Sequence, residues 1–600
     1  MIPLPPPTLE QLPYGTQLIA GMGVSTILAD FDFETYSEAG YIWNPRSESF
    51  DPPRHAKVKG LPTIGTAVYS EHESTEILSM AYDLKDGKGK RLWKPGQAFP
   101  LDLYAHILSG KLLESWNCSF ERWIWNNIGI RRYGFPILPF DQLRDARAKA
   151  SAFGIPASLA AAGEILNTKN QKDKDGTRLL TKFSMPRNPT KSNPNKRIKI
   201  EDDPQDAERL YQYNLRDIEA EAEISSLIPD LTPDELEFWF CDQRINIRGV
   251  QLDQTIIEKC IQIIEHTYEI YNIEIRNITG GYVKSVNDLL SMKTWLNNEF
   301  NNLRVDSLDA ENIEILLKQD LHYEAFRVLQ IRKSLGSAAV KKLYAMQNTS
   351  TRSGRVHDLF NYHGARTGRA TGNGVQPQNL PNSGAKVIQC KACNKHYGIN
   401  VINNLCPWCG SNVSARLVEW NPDAVNDAIE TLSTGNLACV ESFWGDPIGI
   451  VSGCLRGMFI SAPGHDLICS DYSSIEAVVL AIMSGEDWRI EVFKTHGRIY
   501  EMSASKITGV PLEDYIKYRK DNGKHHEDRK LGKVAELASG YQGWIGAWKA
   551  FKADEFLNDE QIKQAILAWR AASPKIVEMW GGQIKDWYPC YYGLEGAAIQ

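Results

Sequence analysis

The sequence predicts an α/β domain followed by a larger α+β region built mostly of helices, and three patterns in its 600 residues lead there. From Ser25, short apolar runs of strand length alternate with amphipathic helices for about two hundred residues. Past Pro229 and Pro233 the apolar positions recur at helical spacing for about a hundred more. A strand–turn–helix pattern over Leu467–Met483 is then followed by further helices. The chain is too long for one core; at ~150 residues per domain it suggests about four.

The elements follow in order. Residues 1–24 are Pro-rich and peripheral. Residues 25–229 form the α/β domain: an apolar run at Thr26–Ala29, a strand-like run at Thr66–Val68, helices near Ser119–Ile128 and Ala207–Ile224. Between Lys169 and Lys199 stand ten basic residues against two acidic ones. This is either a solvated surface loop or a basic arm beside a nucleic-acid groove. Residues 230–354 read as helical, including Leu321–Met346 with Arg332, Lys333, Lys341 and Lys342. Residues 355–600 hold a Gly-rich segment, Gly364–Gly374, a cysteine cluster at 388–412, and the strand–turn–helix.

A net charge of −7 argues weakly against nucleic-acid binding, because phosphate contacts need only local positive charge. No apolar run reaches the ~18 residues of a membrane span, and the expectation is a cytoplasmic protein. Eleven cysteines, four of them clustered, read as reduced thiols plus one metal site.

Asp32 and Glu34 are two apart at the end of an apolar strand, so both side chains point to one face. Asp30 shares that register, which leaves Asp30 with Asp32 as an alternative pair. Asn117-Cys-Ser-Phe-Glu121 opens a helix. Tyr213 and Asp217 are four apart and share a helix face. These three blocks resemble the DnaQ-like (DEDDy) 3′→5′ exonucleases. The resemblance implies an RNase H-like mixed sheet, Asp32, Glu34 and Asp217 as ligands of two Mg²⁺ ions, and Tyr213 as the group that positions the attacking water. Glu121 stands where that family usually has Asp.

Further along, Leu467–Cys469 forms a short strand that delivers Asp471 to its end. Ser473 and Ser474 cap the next helix, whose buried stripe is Ile475, Val478, Val479, Ile482 and Met483, with Gly485 at its C-terminus. Arg529, Lys533, Leu537 and Tyr541 recur every four residues along one helix face. Two cations, an apolar platform and a ring suit a nucleoside triphosphate.

SDYSSIEAVVLAIMSGE, RKLGKVAELASGYQG, GARTGRATGNGVQPQNLPN and FCDQRINIRGVQLD together resemble the family A (polymerase-I-like) DNA polymerases, particularly the bacteriophage branch. The resemblance implies a right-hand palm, fingers and thumb. It implies Asp471 as ligand of both catalytic Mg²⁺ ions and Glu476 as the gate against ribose. Arg529 and Lys533 would hold the triphosphate, with Lys533 a proton donor to pyrophosphate. Leu537, where relatives carry an aromatic ring, would lie with Tyr541 at the base and sugar. Arg366, Arg369, Gln378 and Asn379 would contact primer–template DNA. Ser474 and Val478 depart from the usual Gln and Arg. The family's His-Asp-Glu motif is not found after this point, so the expectation is an incomplete palm. Either the sequence is truncated or a second polypeptide supplies the rest.

Cys390, Cys393, Cys406 and Cys409 form two Cys-x-x-Cys knuckles with twelve residues between them, a zinc-ribbon pattern for structural Zn²⁺. His396 is a substitute ligand candidate. The leading reading is a DNA polymerase with a proofreading exonuclease, serving phage DNA replication in the host cytoplasm with dNTPs and primer–template as partners. The alternatives are an exonuclease-active subunit of a split replicase and a non-catalytic DNA-binding subunit.

Overall fold

The computed structural model describes residues 28–170, 176–336, 338–365, 367–381, 384–399, 405–412 and 415–580. The chain forms two compact units, Met1–Asp466 and Leu467–Gln600.

The first unit begins with β1 (Ala29–Tyr36), α1 (Leu61–Glu71), β2 (Glu76–Asp83), β3 (Arg91–Trp93), β4 (Leu113–Ser115), α2 (Cys118–Ile124) and β5 (Leu143–Asp145). The sheet order is β3-β2-β1-β4-β5. β1 is antiparallel to β2 and parallel to β4, so the sheet is mixed. Strand alternation divides β1 cleanly. Phe31 and Phe33 enter a core of aromatic rings with Trp125 and Phe135. Asp30, Asp32 and Glu34 face the other way, toward α3 (Pro204–Leu227). The Asp203 carboxylate accepts the Asp206 backbone N–H and Pro204 stands in the first turn, so the start of α3 is fixed locally.

Two expectations are corrected here. The acidic residues lie inside β1, not at its end, because the strand begins at Ala29 and runs through the alternating Phe and acid positions. Thr66–Val68 is part of α1, not a strand: its β-branched residues favour strands locally, but α1 kinks at Gly65 (φ 74°) and the helical turn after it buries Ala67 and Ser70, three apart, so packing outweighs propensity. The basic stretch folds back on the domain. Lys196 sits 3.4 Å from the Trp43 ring centre and the Arg197 guanidinium 3.6 Å from that of Tyr36, while Arg178 and Lys182 each pair with Asp206 at 2.7 Å.

The rest of the first unit packs around α4 (Gln254–Ile278), α5 (Tyr323–Leu335) and α6 (Ala338–Thr349). The helical run read at Leu321–Met346 is thus two helices, α5 ending with Gly336 as its cap residue. A small sheet of β6 (Val387–Cys390), β7 (His396–Gly398) and β8 (Ala415–Val418) has the order β7-β6-β8 and leads into α7 (Pro422–Leu432).

The second unit is helical: α8 (Ile475–Ser484), α9 (Ile499–Thr508), α10 (Asp528–Ser539) and α11 (Asp559–Ala572) are its main elements. Val534, Ala538, Trp548, Ile562, Ile566 and Trp569 form its core. α10 lies so close to α9 that a Cβ on Gly532 would meet the Tyr500 carbonyl oxygen at 1.9 Å.

Three local expectations fail in this unit. Leu467–Cys469 is not a strand, and Ile468 is 93% exposed. No strand among the described residues pairs with it, and a lone three-residue segment has no ladder to satisfy its backbone. The apolar stripe of α8 is not buried: Ile475, Val479, Ile482 and Met483 are exposed, while Ala481 is buried and Leu480 packs on the core. The helix therefore docks through Leu480 and Ala481. Ser474 takes a left-handed conformation (φ 52°) and makes no side-chain cap bond, whereas Gly485 closes the helix in the left-handed region as expected.

Candidate functional sites

On the sheet face of the first unit, three distant stretches converge. β1 brings Asp32 and Glu34, α2 brings Glu121, and α3 brings Tyr213 and Asp217. Glu121 is buried, and its Oε2 meets no donor among the described residues. Burial, then the Asp32 charge, holds its carboxyl well above the usual range. The Tyr213 hydroxyl is pushed up by burial and then by Asp217, with Glu34 and Asp32 also contributing, so the phenol keeps its proton. Asp145 caps the helix Ala146–Ala152 through Arg147 N and Ala148 N and also presses on Glu121.

Behind this set lies a group the sequence reading did not find. Asp30, Glu114 and Glu221 place carboxylate oxygens within 4.8 Å of one another, all buried. Asp30 pairs with Lys85. Burial raises Asp30 to about 6 and Glu114 to about 7, and drives Glu221 well up. Lys85 meets part of the negative charge here, and burial makes the carboxyls hold their protons more readily than usual. The signals were present: Glu221 is four residues beyond Asp217, and Glu114 sits beside Asp30 in the parallel β1–β4 register.

The four cysteines come together. Cys390 and Cys409 sulfurs are 3.9 Å apart, Cys393 and Cys406 sulfurs 3.7 Å, and all four lie within 4.8 Å. A tetrahedron with Zn–S bonds of ~2.3 Å has edges of roughly 3.8 Å, so the set fits Zn²⁺. Burial opposes ionisation of Cys390, but backbone N–H groups of Cys393 and Ala392 together with the Cys406 and Cys393 thiols outweigh it and bring the thiol to about 7. His396 does not join the cluster, whose mutually close ligand atoms are the four sulfurs; it is buried, and its Nδ1 and backbone N–H both meet Asp427 Oδ2 at 2.8 Å, which pins β7 to α7.

In the Gly-rich segment and just after it, Arg369, Gln378 and Asn379 are exposed, the last two on a single 3-10 turn. Lys342 of α6 donates to Gln376 Oε1 at 3.0 Å beside them. Arg366 lies outside the described residues. The pattern thus places three of the four expected DNA contacts on one exposed segment.

In the second unit α10 carries Arg529, Lys533 and Leu537. Lys533 is exposed. Arg529 is half-buried, and its Nε donates to Glu501 Oε1 of α9 at 2.9 Å, with His525 on the same oxygen at 3.1 Å. Tyr541 is corrected: it stands past the helix, which ends at Ser539, and a left-handed Gln542 (φ 62°) turns the chain. Asp471 and Glu476 are both exposed, Asp471 on irregular backbone. Among the described residues no helix is long and apolar enough to cross a membrane.

No family model matches the chain. It is 32% identical over 543 residues, 89% of its length and 74% of the relative's, to the DNA polymerase of Bacillus phage SP02. Over 88 residues it is 36% identical to DNA polymerase I of Rhizobium leguminosarum, covering 14% of this chain and 9% of that one. The polymerase domain of Pol1 from M. smegmatis, solved with DNA primer-template and dNTP, covers 84% of this chain and 71% of its own at 14% identity and a TM-score of 0.47. On its likeness to the phage polymerase, extended by the polymerase I segments, the chain belongs to the family A DNA polymerases.

Proposed function

We propose that the chain is a primer-extending DNA polymerase of phage DNA replication that corrects its own errors with a 3′→5′ exonuclease in residues 25–229. The observation that carries the exonuclease is the meeting of Asp32, Glu34, Glu121, Tyr213 and Asp217 from three separate stretches on one buried sheet face.

An all-carboxylate donor set suits Mg²⁺, and the buried Glu121 Oε2, which meets no donor among the described residues, is an oxygen a cation would serve. Two bound Mg²⁺ ions would supply the activated water and stabilise the leaving 3′ oxygen. Asp32, Glu34, Glu121 and Asp217 would hold them, Glu121 reaching with one more methylene than Asp. Tyr213, kept protonated, orients the attacking water.

For synthesis, Asp471 would hold the catalytic Mg²⁺ ions. Arg529 and Lys533 bind the triphosphate, with Lys533 donating a proton to pyrophosphate. Glu476 excludes the ribose 2′-OH, and Leu537 with Tyr541 faces base and sugar. Arg369, Gln378 and Asn379 hold the primer–template minor groove, and the four thiolates hold structural Zn²⁺. The irregular, exposed backbone at Asp471 favours a second reading, in which the chain shortens primers unaided and extends them only with a second polypeptide.

The test is a 5′-overhang primer–template with Mg²⁺ and dNTPs. Asp32→Ala should stop shortening alone and Asp471→Ala should stop extension alone. If both variants lose the same activity, or neither loses any, the assignment of the two sites is wrong.

A further inference from the structure

One buried polar group touches the exonuclease carboxylates and has no role in the scheme above. Asn214, on α3 between Tyr213 and Asp217, is fully buried. Its Nδ2 donates to Asp32 Oδ2 at 2.6 Å. Ser79 of β2, also fully buried, donates its hydroxyl to Asn214 Oδ1 at 3.1 Å. The chemistry fixes the direction of this chain. A carboxylate only accepts, so the amide must turn its N–H to Asp32, and its oxygen is then left for a donor, which Ser79 provides. The sheet register places Ser79 opposite Glu34, on the same face as Asp32, so the relay is built into the β1–β2 pairing.

We infer that Asn214 is a positioning residue of the exonuclease: held by Ser79, it fixes the orientation of the Asp32 carboxylate that would hold the cations. This rests on the exonuclease reading proposed above. A carboxylate free to rotate would lose orientation each time a cation leaves, and an amide with its own orientation locked prevents that. Outer partners of metal ligands commonly change affinity or activity by about ten- to a hundredfold. Asn214 acts through Asp32 and touches no reacting atom, so its loss should appear first in metal dependence.

The experiment uses the full chain with Asn214→Leu, of similar volume, and Ser79→Ala, which keeps the bond to Asp32 but frees the amide. Primer shortening is followed against Mg²⁺ concentration, and Mn²⁺ binding by electron paramagnetic resonance, with Asp32→Ala marking the sites of interest. Asn214→Leu should raise the Mg²⁺ midpoint and weaken Asp32-dependent Mn²⁺ binding, both by about tenfold or more. Saturating Mg²⁺ should restore most of the rate, and Ser79→Ala should shift the midpoint the same way by less. Wild-type midpoint and Mn²⁺ affinity in Asn214→Leu overturn the inference, as does a lost rate that added Mg²⁺ does not restore. A wild-type chain that neither shortens the primer nor binds Mn²⁺ through Asp32 overturns the exonuclease reading and takes the inference with it.

Discussion

Both units bury glutamates, and they treat them in opposite ways. In the second unit Glu536 is fully served: Arg489 donates to its Oε2 at 2.6 Å, and Trp569 at 2.8 Å and Ser503 donate to its Oε1. Arg489 is itself buried, so charge meets charge in a dry place. In the first unit Glu114, Glu121 and Glu221 are equally buried, yet Lys85 and Lys149 are few against so many acids, and Glu121 and Glu221 each keep an oxygen without a donor among the described residues. The first arrangement holds α9, α10 and α11 together. The second stores unfavourable charge that protons or cations relieve. A buried acid is therefore structural when its donors are present, and a site when they are missing.

The strongest way to break this contrast is to remove a catalytic acid. Asp32→Ala should slow primer shortening by at least ~10³-fold, since a cation-holding charge is lost. A drop of tenfold or less in single-turnover cleavage would place the site elsewhere. Next comes the served glutamate. Arg489→Met leaves Glu536 buried without its cation and should destabilise the second unit by about 3–5 kcal/mol, read as faster hydrogen exchange in α10. Unchanged exchange there would mean that Glu536 is not a structural charge.

The unserved acids should behave in reverse, and pH gives the sign. Glu114 rises from 4.5 to about 7 in the folded chain, because burial disfavours its charge. Between those values the folded state binds a proton that the unfolded state has released, so stability is greatest below 4.5 and declines as pH rises toward 7. The decline is on the order of 3 kcal/mol for this group. Glu114→Gln should therefore stabilise the first unit at pH 8 and change little at pH 4.5, by thermal unfolding at the two values. Equal effects at both pH values would contradict the sign. Smallest is Ser503→Ala, which removes one donor of three from Glu536. It should cost about 1–2 kcal/mol, less than Arg489→Met, and an equal or larger cost would show that the hydroxyl and not the guanidinium anchors the carboxylate.

Much of both sites could be read in the chain, for reasons local to each residue. Period two put Asp32 and Glu34 on one face, a four-residue step joined Tyr213 to Asp217, and Cys-x-x-Cys spacing gathered the four thiols. What spacing does not report is which side of an element finds a partner. The α8 stripe of Ile475, Val479, Ile482 and Met483 has the periodicity of a core face and stays exposed, because the helix docks through Ala481 and Leu480. The same limit applies to Tyr541, whose four-residue step continued on paper past a helix that stops at Ser539.

The sequence by itself determined the chemistry available: carboxylates in strand and helix register, four thiols in two knuckles, two cations on one helix face. These follow from backbone periodicity, which any stretch carries alone. Only the tertiary structure decided that Glu114 and Glu221 join Asp30, that Asn214 bridges Asp32 and Ser79, and that His396 meets Asp427 outside the sulfur cluster. Those outcomes depend on burial and on partners up to 191 residues away along the chain, as between Asp30 and Glu221, and no local pattern encodes a distance in space.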